Sequence, residues 1–448
     1  MFDFTNPVNI LAIGLGLALL LHMLKRRAST CPLPPSVQSY PLIGHLFSAP
    51  TSNDHLGFIE IGNRLKTSIF TLKSFGQTTI VLNSIEDATN LLKNRSAIYS
   101  DRYCAPMLGD PLLMDSGNFI DFLGYNDRLR KCRRLMHPWL NKKACESFHE
   151  SQVQDARLLL QKLMLCGRTS SEVLYKEVFR ALSGTLLHSI YGYRISGEDD
   201  PLIKEAIHKT KEGIASGDYE RSIIESSVYE AKALGLSSEE TDNYLSYIGI
   251  SLYLGGAETT YNVILVFFLA IMHFPESQRK AQAEIDEILG DTRLPGMEDM
   301  QRLPYTNRLI QETLRWRPIL PLGIPHAVSK DDFYQGFLIP KGATVVGNIW
   351  AMSRDKRFYK DAEESDPDRF LDSSIPPCPI FGFGRRECPG VHFAESSLFS
   401  IIASVLAAFN IKAPDSRRLT APGLGDYPDP GNKSNYVASA GSDFGLQV

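Results

Sequence analysis

The 448-residue chain lacks several features that would assign it to common functional classes. It has no excess of positive charge, because 47 Lys and Arg residues face 51 Asp and Glu residues, and this balance argues against nucleic-acid binding. Its seven cysteines form no CxxC pair, so neither a zinc site nor a disulfide framework is indicated. No glycine-rich loop that would cradle the phosphates of NADPH or a flavin is present, which excludes the usual dinucleotide-binding enzymes.

What the chain has is the composition of a globular protein, with 43% hydrophobic and 22% charged residues. Two pairs of short runs rich in β-branched residues predict β-hairpins. The pairs are 67–72 with 78–82 and 337–339 with 343–346. Helical periodicity predominates elsewhere, so the sequence predicts a mainly α fold with minor β structure. The helical runs are 156–165, 172–191, 242–273, 276–289, 306–315 and 393–409.

The run 242–273 predicts a helix of roughly 48 Å, long enough to cross a whole domain. It is apolar on nearly every side, which indicates burial among other helices. Its uninterrupted apolar part, 263–272, is too short to span a bilayer, and Glu258 interrupts the pattern. We therefore expect a central core helix rather than a membrane span.

Residues 8–24 are apolar except for Asn9 and His22, and three basic residues, 25–27, follow directly. Basic residues behind the apolar run favour an uncleaved anchor with the body in the cytosol, while a cleaved signal sequence remains the alternative. We predict an anchor at 1–27 and a proline-rich hinge at 28–50. No repeat or long linker follows, so 51–448 is expected to form one catalytic domain.

The most informative segment is 381–390, with the sequence FGFGRRECPG. Gly384 permits the positive φ of a tight turn in front of a helix. Free amide groups at that helix start, together with Arg385 and Arg386, would favour a thiolate over a thiol at Cys388. The alternative is a buried structural cysteine. The residues predict a site for an anionic sulfur.

The segment fits the pattern F-x-x-G-x-R-x-C-x-G, which resembles the haem-binding signature of the cytochrome P-450 family. The pattern is filled by Phe381, Gly384, Arg386, Cys388 and Gly390. The resemblance implies that Cys388 is the axial thiolate ligand of haem b (iron protoporphyrin IX) and that Arg386 pairs with a propionate. It also implies that Gly390 lets the next helix lie close to the macrocycle. The expected fold is P-450-like, helical with small β-sheets.

Two carboxyl-terminal motifs also resemble the family. Glu312 and Arg315 match its E-x-x-R and can pair, because residues at i and i+3 share a helix face. Arg369 lies in a segment, 366–370, that resembles the family's P-x-R-F. By themselves such pairs are usually exposed and contribute little. The resemblance makes Glu312, Arg315 and Arg369 a buried structural triad that holds the thiolate loop.

The predicted core helix carries a third motif, residues 255–260, which resembles the family's oxygen-activating segment. Gly255 and Gly256 each cost about 1 kcal/mol in a helix relative to alanine, so a close neighbour is expected there. The hydroxyl of Thr259 can bond a carbonyl one turn back. Glu258 and Thr259 would deliver protons to iron-bound dioxygen. The alternative is a polar notch on a core helix.

Two further residues match family positions that contact haem propionates. Arg133 occupies the arginine position of a W-x-x-x-R helix, in which Leu129 replaces tryptophan, and His326 follows Pro325 where the family offers His or Arg. A basic cluster near Arg133 corresponds to the face that docks a reductase in the family. The cluster comprises Arg128, Arg130, Lys131, Arg134, Lys142 and Lys143.

The resemblance implies a monooxygenase that oxidises a small hydrophobic substrate with dioxygen. NADPH electrons would arrive through a flavoprotein reductase. The substrate would be a terpenoid, sterol, aromatic or fatty compound, facing residues 107–122, Tyr253, Leu254 and 322–324. The protein would be a single-pass protein of the endoplasmic reticulum, in contact with membrane lipid and not with nucleic acid.

Two alternatives remain open at this point. One is a haem-thiolate isomerase or dehydratase that rearranges peroxides, and the other is a degenerate, non-catalytic haem-binding membrane protein. The lid region, about 192–240, is short for the family, which favours the second alternative.

Overall fold

The computed structural model describes residues 31–165, 171–193, 222–290, 292–412 and 445–447, together with Gly14 and Gly16. Apart from those two glycines the predicted anchor lies outside the described residues, as does much of the lid region. The described residues form two compact units. One combines those up to Tyr103 with Pro325–Asn348, and the other contains those of Cys104–Ile324 and Ile349–Val448.

The first unit is built around a small mixed sheet. Its helices are α1 (Asp54–Leu65), α2 (Ile85–Ala88) and α3 (Ser96–Tyr99), with a π-helical turn at Thr89–Asn94. Its strands are β1 (Ile69–Ser74), β2 (Gln77–Leu82), β3 (His326–Ala327), β4 (Asp332–Tyr334), β5 (Phe337–Ile339) and β6 (Thr344–Gly347). The sheet order is β1-β2-β6-β3, in which β2 and β6 run parallel.

The first predicted hairpin is confirmed, because β1 and β2 pair antiparallel around Phe75 and Gly76. The second is wrong: β5 pairs with β4, and β6 joins the larger sheet. Gln335 and Gly336 both have positive φ and form the two-residue turn that joins β4 to β5. Two positive φ values suit this kind of tight hairpin turn, so β5 folds back on β4. The turn after β5, closed by the bond from the Ala343 amide to the Pro340 carbonyl, leads β6 into the larger sheet instead.

The second unit is helical. Its helices are α4 (Pro106–Gly109), α5 (Asp127–Leu140), α6 (His149–Leu165), α7 (Ser171–Tyr191), α8 (Ile223–Ala233), α9 (Ser238–His273), α10 (Pro275–Leu289), α11 (Pro304–Trp316), α12 (Ile349–Met352) and α13 (Val391–Ala408). Short 3-10 helices lie at Ala144–Phe148, Met297–Arg302, Pro367–Leu371 and Gly384–Arg386. Strands β7 (Asn410–Lys412) and β8 (Gly445–Gln447) pair antiparallel. The predicted mainly α fold with minor β structure is confirmed.

The predicted core helix is α9, and it begins four residues earlier than the apolar pattern indicated. Ser237 accepts a hydrogen bond from the Glu240 amide at 3.1 Å, and the Glu240 carboxylate accepts one from the Ser237 amide at 2.8 Å. This capping box stabilises the first turn, which is polar and therefore outside the apolar pattern. Phe267 and Ile271 of α9 pack with Phe399 of α13 in the main buried cluster.

Two described helices, α9 and α13, are long and apolar enough to cross a membrane by length and composition. Most of the apolar window of each is buried inside the fold, 56% in α9 and 67% in α13. Burial of this kind is expected of core helices. The interpretation of α9 as a core helix is therefore supported.

Candidate functional site

The loop before α13 brings Cys388 to the start of that helix. Gly382 and Gly384 have φ values of 84° and 56°, which only glycine adopts readily. The Cys388 amide donates to the Phe381 carbonyl at 2.8 Å and closes the loop. Helix α13 then begins at Val391, and the amide of Gly390, directly before it, donates a hydrogen bond to the sulfur.

Burial raises the pKa of the Cys388 thiol, and this effect outweighs a hydrogen bond from the Gly390 amide and the positive charge of Arg133, which both lower it. The negative charges of Asp121 and Glu387 also raise it. Of these groups, the Gly390 amide and Arg133 act in the direction that the sequence analysis expected for an anionic sulfur.

Helix α5 carries the cation that faces this sulfur. The Asn126 side chain accepts a hydrogen bond from the Leu129 amide at 3.0 Å and caps α5. One helical turn after Leu129, Arg133 donates through Nη2 to the Glu387 carbonyl at 2.9 Å. Its Nε is buried and has no hydrogen-bond partner among the described residues. Arg133 thus retains a donor that an anionic group could accept.

The two arginines of the loop have other partners. Arg386 is buried and donates to the Ile120 carbonyl at 3.3 Å and to the Leu123 carbonyl. Arg385 is exposed, and its guanidinium lies 5.2 Å from the centre of the Tyr125 ring. Both guanidinium groups thus contact the segment 120–125 before α5, while stabilisation of the sulfur by Arg385 and Arg386 stays a prediction.

Glu312, Arg315 and Arg369 meet in a closed, buried network. The Glu312 carboxylate accepts two bonds from Arg315, each 2.7 Å, and one from the Arg369 Nε at 2.9 Å. The guanidinium groups of Arg315 and Arg369 also donate hydrogen bonds to backbone carbonyls in the loop after α12. These acceptors are Ser353, Lys360, Ala362 and Glu364. The network fixes the loop that precedes the Cys388 segment and offers no group for chemistry.

The glycine-rich motif lies in the middle of α9. The Thr259 hydroxyl donates to the Gly255 carbonyl at 2.6 Å, as the sequence predicted, and Glu258 is exposed. A Cβ on Gly256 would lie 2.9 Å from Leu186 of α7, so this glycine allows two helices to approach closely. A Cβ on Gly255 would meet nothing within 4 Å, so the expected close neighbour is not observed there.

The same turn of α9 packs with the helix that follows the cysteine loop. Ala257 lies in one buried cluster with Leu129 of α5 and Phe393 of α13. Leu129, which stands where the family has tryptophan, is a core residue here and has no side-chain donor. The α9 turn of Glu258 and Thr259, helix α5 of Arg133 and helix α13 after Cys388 therefore contribute to the same hydrophobic cluster.

His326 belongs to the first unit, in β3. It is buried, and its Nδ1 donates to the Tyr99 carbonyl at 2.7 Å. Within that unit this bond orients the ring.

The basic cluster divides into exposed and engaged members. Arg128 donates to Asn243 at 2.7 Å and lies 4.5 Å from the centre of the Tyr244 ring, so it binds α9. Arg130 is exposed and pairs with Asp127. Three more members are exposed, namely Arg134, Lys142 and Lys143. These four form the outward-facing part of the cluster.

Two further residues were not assigned a role beside the cysteine from the sequence. Asp121, in the loop 107–122 predicted to face the substrate, influences both Cys388 and Arg133 electrostatically, and the centre of the Tyr125 ring lies 5.2 Å from the guanidinium of Arg385 and 5.7 Å from that of Arg130. No motif marks either residue, because both lie in the irregular segment before α5. Their positions follow from the contacts that Arg386 makes with that segment.

The residues present fit a haem group. A Cβ on Gly390 would meet only the sulfur of Cys388, at 4.0 Å. Arg133 has the buried, unpaired donor that a carboxylate would satisfy. Among the described residues no group of three or more His, Cys, Asp or Glu side chains could hold a metal ion. A porphyrin that brings its own iron needs one protein sulfur, which Cys388 supplies.

Comparison with known proteins agrees with this geometry. The family profile for cytochrome P-450 matches residues 194–424. Cytochrome P-450 monooxygenase 58 of Postia placenta is 34% identical, over 90% of this chain and 86% of its own length. A cytochrome P-450 monooxygenase of Armillaria gallica is 30% identical, over 88% of this chain and 87% of its own. One from Ampulloclitocybe clavipes is 29% identical, with the same coverage.

The first of these alignments spans 465 positions, although 90% of 448 residues is only about 403. About 60 positions of the relative therefore have no counterpart in this chain within the aligned region. Family members bind haem b through a cysteine thiolate and act as monooxygenases, using dioxygen, a substrate and a redox partner. With these relatives, and with a family match over half of its residues, the chain belongs to the cytochrome P-450 family and is an oxidoreductase of the monooxygenase class.

Proposed function

We propose that the chain is a membrane-anchored monooxygenase that inserts one atom of dioxygen into a small hydrophobic substrate and reduces the other atom to water. The observation that carries the proposal is the convergence of the Gly390 amide and Arg133 on the sulfur of Cys388. Electrons come from NADPH through a flavoprotein reductase, since the chain has no loop for either cofactor. The reductase docks on the exposed members of the basic cluster.

Cys388 is the proposed axial ligand, and bound haem supplies the iron at which dioxygen is activated. The buried Nε of Arg133 binds a propionate, and Arg386 and His326 are the proposed partners of the propionates by family position. Phe381, Gly384 and Gly390 shape the loop around the sulfur. The Glu312, Arg315 and Arg369 network holds the neighbouring loop rigid, so the sulfur is presented in one position.

Glu258 and Thr259 are the proposed proton-handling residues. Because Thr259 donates its own proton to the Gly255 carbonyl, its oxygen can accept a hydrogen bond from a water molecule. Gly255 presents no side chain at this turn, and Glu258 is exposed to solvent, so its carboxyl can exchange protons with water. The turn can therefore pass a proton from solvent to the substrate side of α9.

The proposed substrate is apolar, such as a terpenoid, sterol, aromatic or fatty compound. Leu254, directly before Gly255, is exposed, as are Met107, Leu112, Leu113 and Met114 of the predicted substrate loop. Large exposed apolar side chains favour binding of an apolar compound. The endoplasmic reticulum is the proposed location, with residues 1–27 as anchor, 28–50 as hinge and 51–448 as the cytosolic catalytic domain.

The assignment of Cys388 is tested by the spectrum of the reduced protein with carbon monoxide. Wild-type protein should show the strongly red-shifted Soret band of thiolate ligation, and Cys388→Ala should lose it completely. Cys378→Ala is the matched control and should keep the band. A band typical of imidazole ligation in the wild type, or an unchanged band in Cys388→Ala, would contradict the proposal.

The role of Thr259 is tested by the coupling of NADPH oxidation to product. Thr259→Ala removes the hydroxyl, so we expect most NADPH-derived electrons to appear as hydrogen peroxide. Thr259→Ser keeps a hydroxyl and should retain coupling. Equal coupling in all three proteins would refute the proton-handling role. Turnover of a lipid hydroperoxide without NADPH would instead favour an isomerase.

A further inference from the structure

A short turn in the second unit, residues 119–123, contacts both α9 and the loop of Cys388 and is called the bridge here. The Phe119 carbonyl accepts hydrogen bonds from the amides of Phe122 and Leu123, each 3.0 Å long. Ile120 and Leu123 are buried. A turn that is closed by its own hydrogen bonds and packed into the interior moves as one piece. The bridge can therefore pass a change in the position of one neighbour on to the other.

On one side the bridge is held by α9. The Ile120 amide donates to the hydroxyl oxygen of Ser251 at 3.3 Å. The rings of Phe119 and Tyr247 pack edge to face with their centres 5.4 Å apart. Because Tyr247 and Ser251 are four residues apart, they share one face of the helix. Thr259 lies on the same face, two turns after Ser251, so the bridge sits on the face that carries the proposed proton-handling turn.

Helix α5 steadies the α9 side of this contact. The guanidinium of Arg128 lies 5.4 Å from the centre of the Tyr247 ring and 4.5 Å from that of Tyr244. It also donates to the side chain of Asn243 at 2.7 Å. A cation over two rings on one helix face restricts how that face can shift. The surface of α9 that receives the bridge is thus held in place from behind.

On the other side the bridge holds an arginine of the Cys388 loop. Arg386 is buried, and it donates through Nη1 to the Ile120 carbonyl at 3.3 Å and through Nη2 to the Leu123 carbonyl. Two acceptors on one planar guanidinium select one orientation of that group. Asp121, also in the bridge, is close enough for its charge to act on Cys388. The bridge is therefore fitted to the cysteine loop as closely as to α9.

One residue joins the two sides, because Ile120 donates to Ser251 through its amide and accepts from Arg386 through its carbonyl. We propose that Ser251 is a positioning residue, which acts through the backbone of Ile120 to hold Arg386 in the orientation that binds a haem propionate. The inference rests on the proposed function, which makes Arg386 a propionate partner. Ser251 and Ile120 are 131 residues apart in the chain, so only the folded structure brings them together.

The test is the rate at which haem leaves the full-length protein for an excess of apomyoglobin. Ser251→Ala removes the acceptor of the Ile120 amide, and alanine is well tolerated in a helix, so we expect haem loss about fivefold faster with an unchanged urea midpoint. Ser251→Thr keeps a hydroxyl oxygen and should lose haem like the wild type. Ser246→Ala is the matched control, because the Ser246 hydroxyl donates within α9, to the Asp242 carbonyl at 2.7 Å.

A second arm separates positioning of Arg386 from a general loosening of the fold. In Arg386→Lys, which lacks the guanidinium fork, adding Ser251→Ala should not accelerate haem loss further. In Arg133→Gln the same addition should still accelerate it about fivefold. Arg386→His takes the place of Arg386→Lys if the latter retains no haem. Unchanged haem loss in Ser251→Ala, or equal acceleration in the Arg386 and Arg133 backgrounds, would overturn the proposal.

Failure of the proposed function would give a different result. If the reduced wild type with carbon monoxide lacks the red-shifted Soret band, thiolate-bound haem itself is refuted, whatever the serine variants do. If the band is present and Ser251→Ala behaves like Ser246→Ala, the proposed function stands and the positioning role of Ser251 is wrong.

Discussion

Two charged sites in the second unit differ in how completely their groups are paired. Around Glu312 each carboxylate oxygen accepts hydrogen bonds, and the guanidinium groups of Arg315 and Arg369 are bound to it and to backbone carbonyls. Around Cys388 the sulfur has a raised pKa, and the Nε of Arg133 is buried without a partner among the described residues. The first site is complete by itself, whereas the second is not.

This difference is what would be expected of a structural site and a proposed binding site. A buried charge costs several kcal/mol unless it is paired, so the unpaired Nε of Arg133 suits a ligand that carries an acceptor. Both sites were recognised from family motifs that contain arginine. Only the folded chain shows that Arg315 and Arg369 are fully paired with Glu312 and backbone carbonyls, whereas the Nε of Arg133 has no partner among the described residues.

The largest effect on stability is expected from breaking the complete site. Glu312→Gln leaves Arg315 and Arg369 buried without their carboxylate, which should lower the free energy of unfolding by about 3–5 kcal/mol. The urea midpoint in detergent solution measures it. Glu276→Gln is the control, because Glu276 and Arg279 form an exposed pair at the same i,i+3 spacing. A midpoint for Glu312→Gln equal to that of the control would show that the network contributes nothing.

A smaller effect, on haem affinity and not on the stability of the fold, is expected at the site of Cys388 and Arg133. Arg133→Gln removes a charged donor from the propionate, and hydrogen bonds of this kind contribute about 1.5–3 kcal/mol, so haem should bind at least about tenfold more weakly. Transfer of haem to an excess of apomyoglobin measures the loss. The exposed neighbour Arg134→Gln should bind haem like the wild type. If Arg133→Gln retains haem but lowers the urea midpoint, Arg133 belongs with the structural residues.

The smallest expected effect is on the pH dependence of stability, and it arises from Cys378. Burial raises the pKa of Cys378 from 9.0 to about 12, while the nearby Arg315 and Arg354 oppose the shift. Between pH 9 and about 12 the folded chain therefore keeps the Cys378 thiol protonated, whereas the unfolded chain releases that proton. The contribution of this thiol to stability is full below pH 9 and falls as the pH rises towards 12. The loss should not exceed about 1.4 kcal/mol per pH unit. Urea midpoints between pH 8 and 11 should fall more steeply for the wild type than for Cys378→Ala; parallel curves would contradict the shift.

Local sequence patterns predicted much of the fold, because helices and tight hairpins depend on neighbours along the chain. The apolar periodicity of α9, the Phe75-Gly76 turn and the glycines around Cys388 each specify backbone conformation within a few residues. The start of α9 was also encoded locally, by the capping residues Ser237 and Glu240. That signal lay outside the apolar run and was overlooked.

What the sequence determined by itself is therefore the mainly α fold with minor β structure, the long core helix α9 and the family. Only the tertiary structure decided that Arg133 reaches the Glu387 carbonyl beside Cys388, that β5 pairs with β4, and that β6 joins the larger sheet. These contacts join residues that are far apart in the chain, or distinguish between neighbouring residues whose local sequence preferences are the same. They depend on which surfaces pack together and which polar groups are paired once water has been excluded.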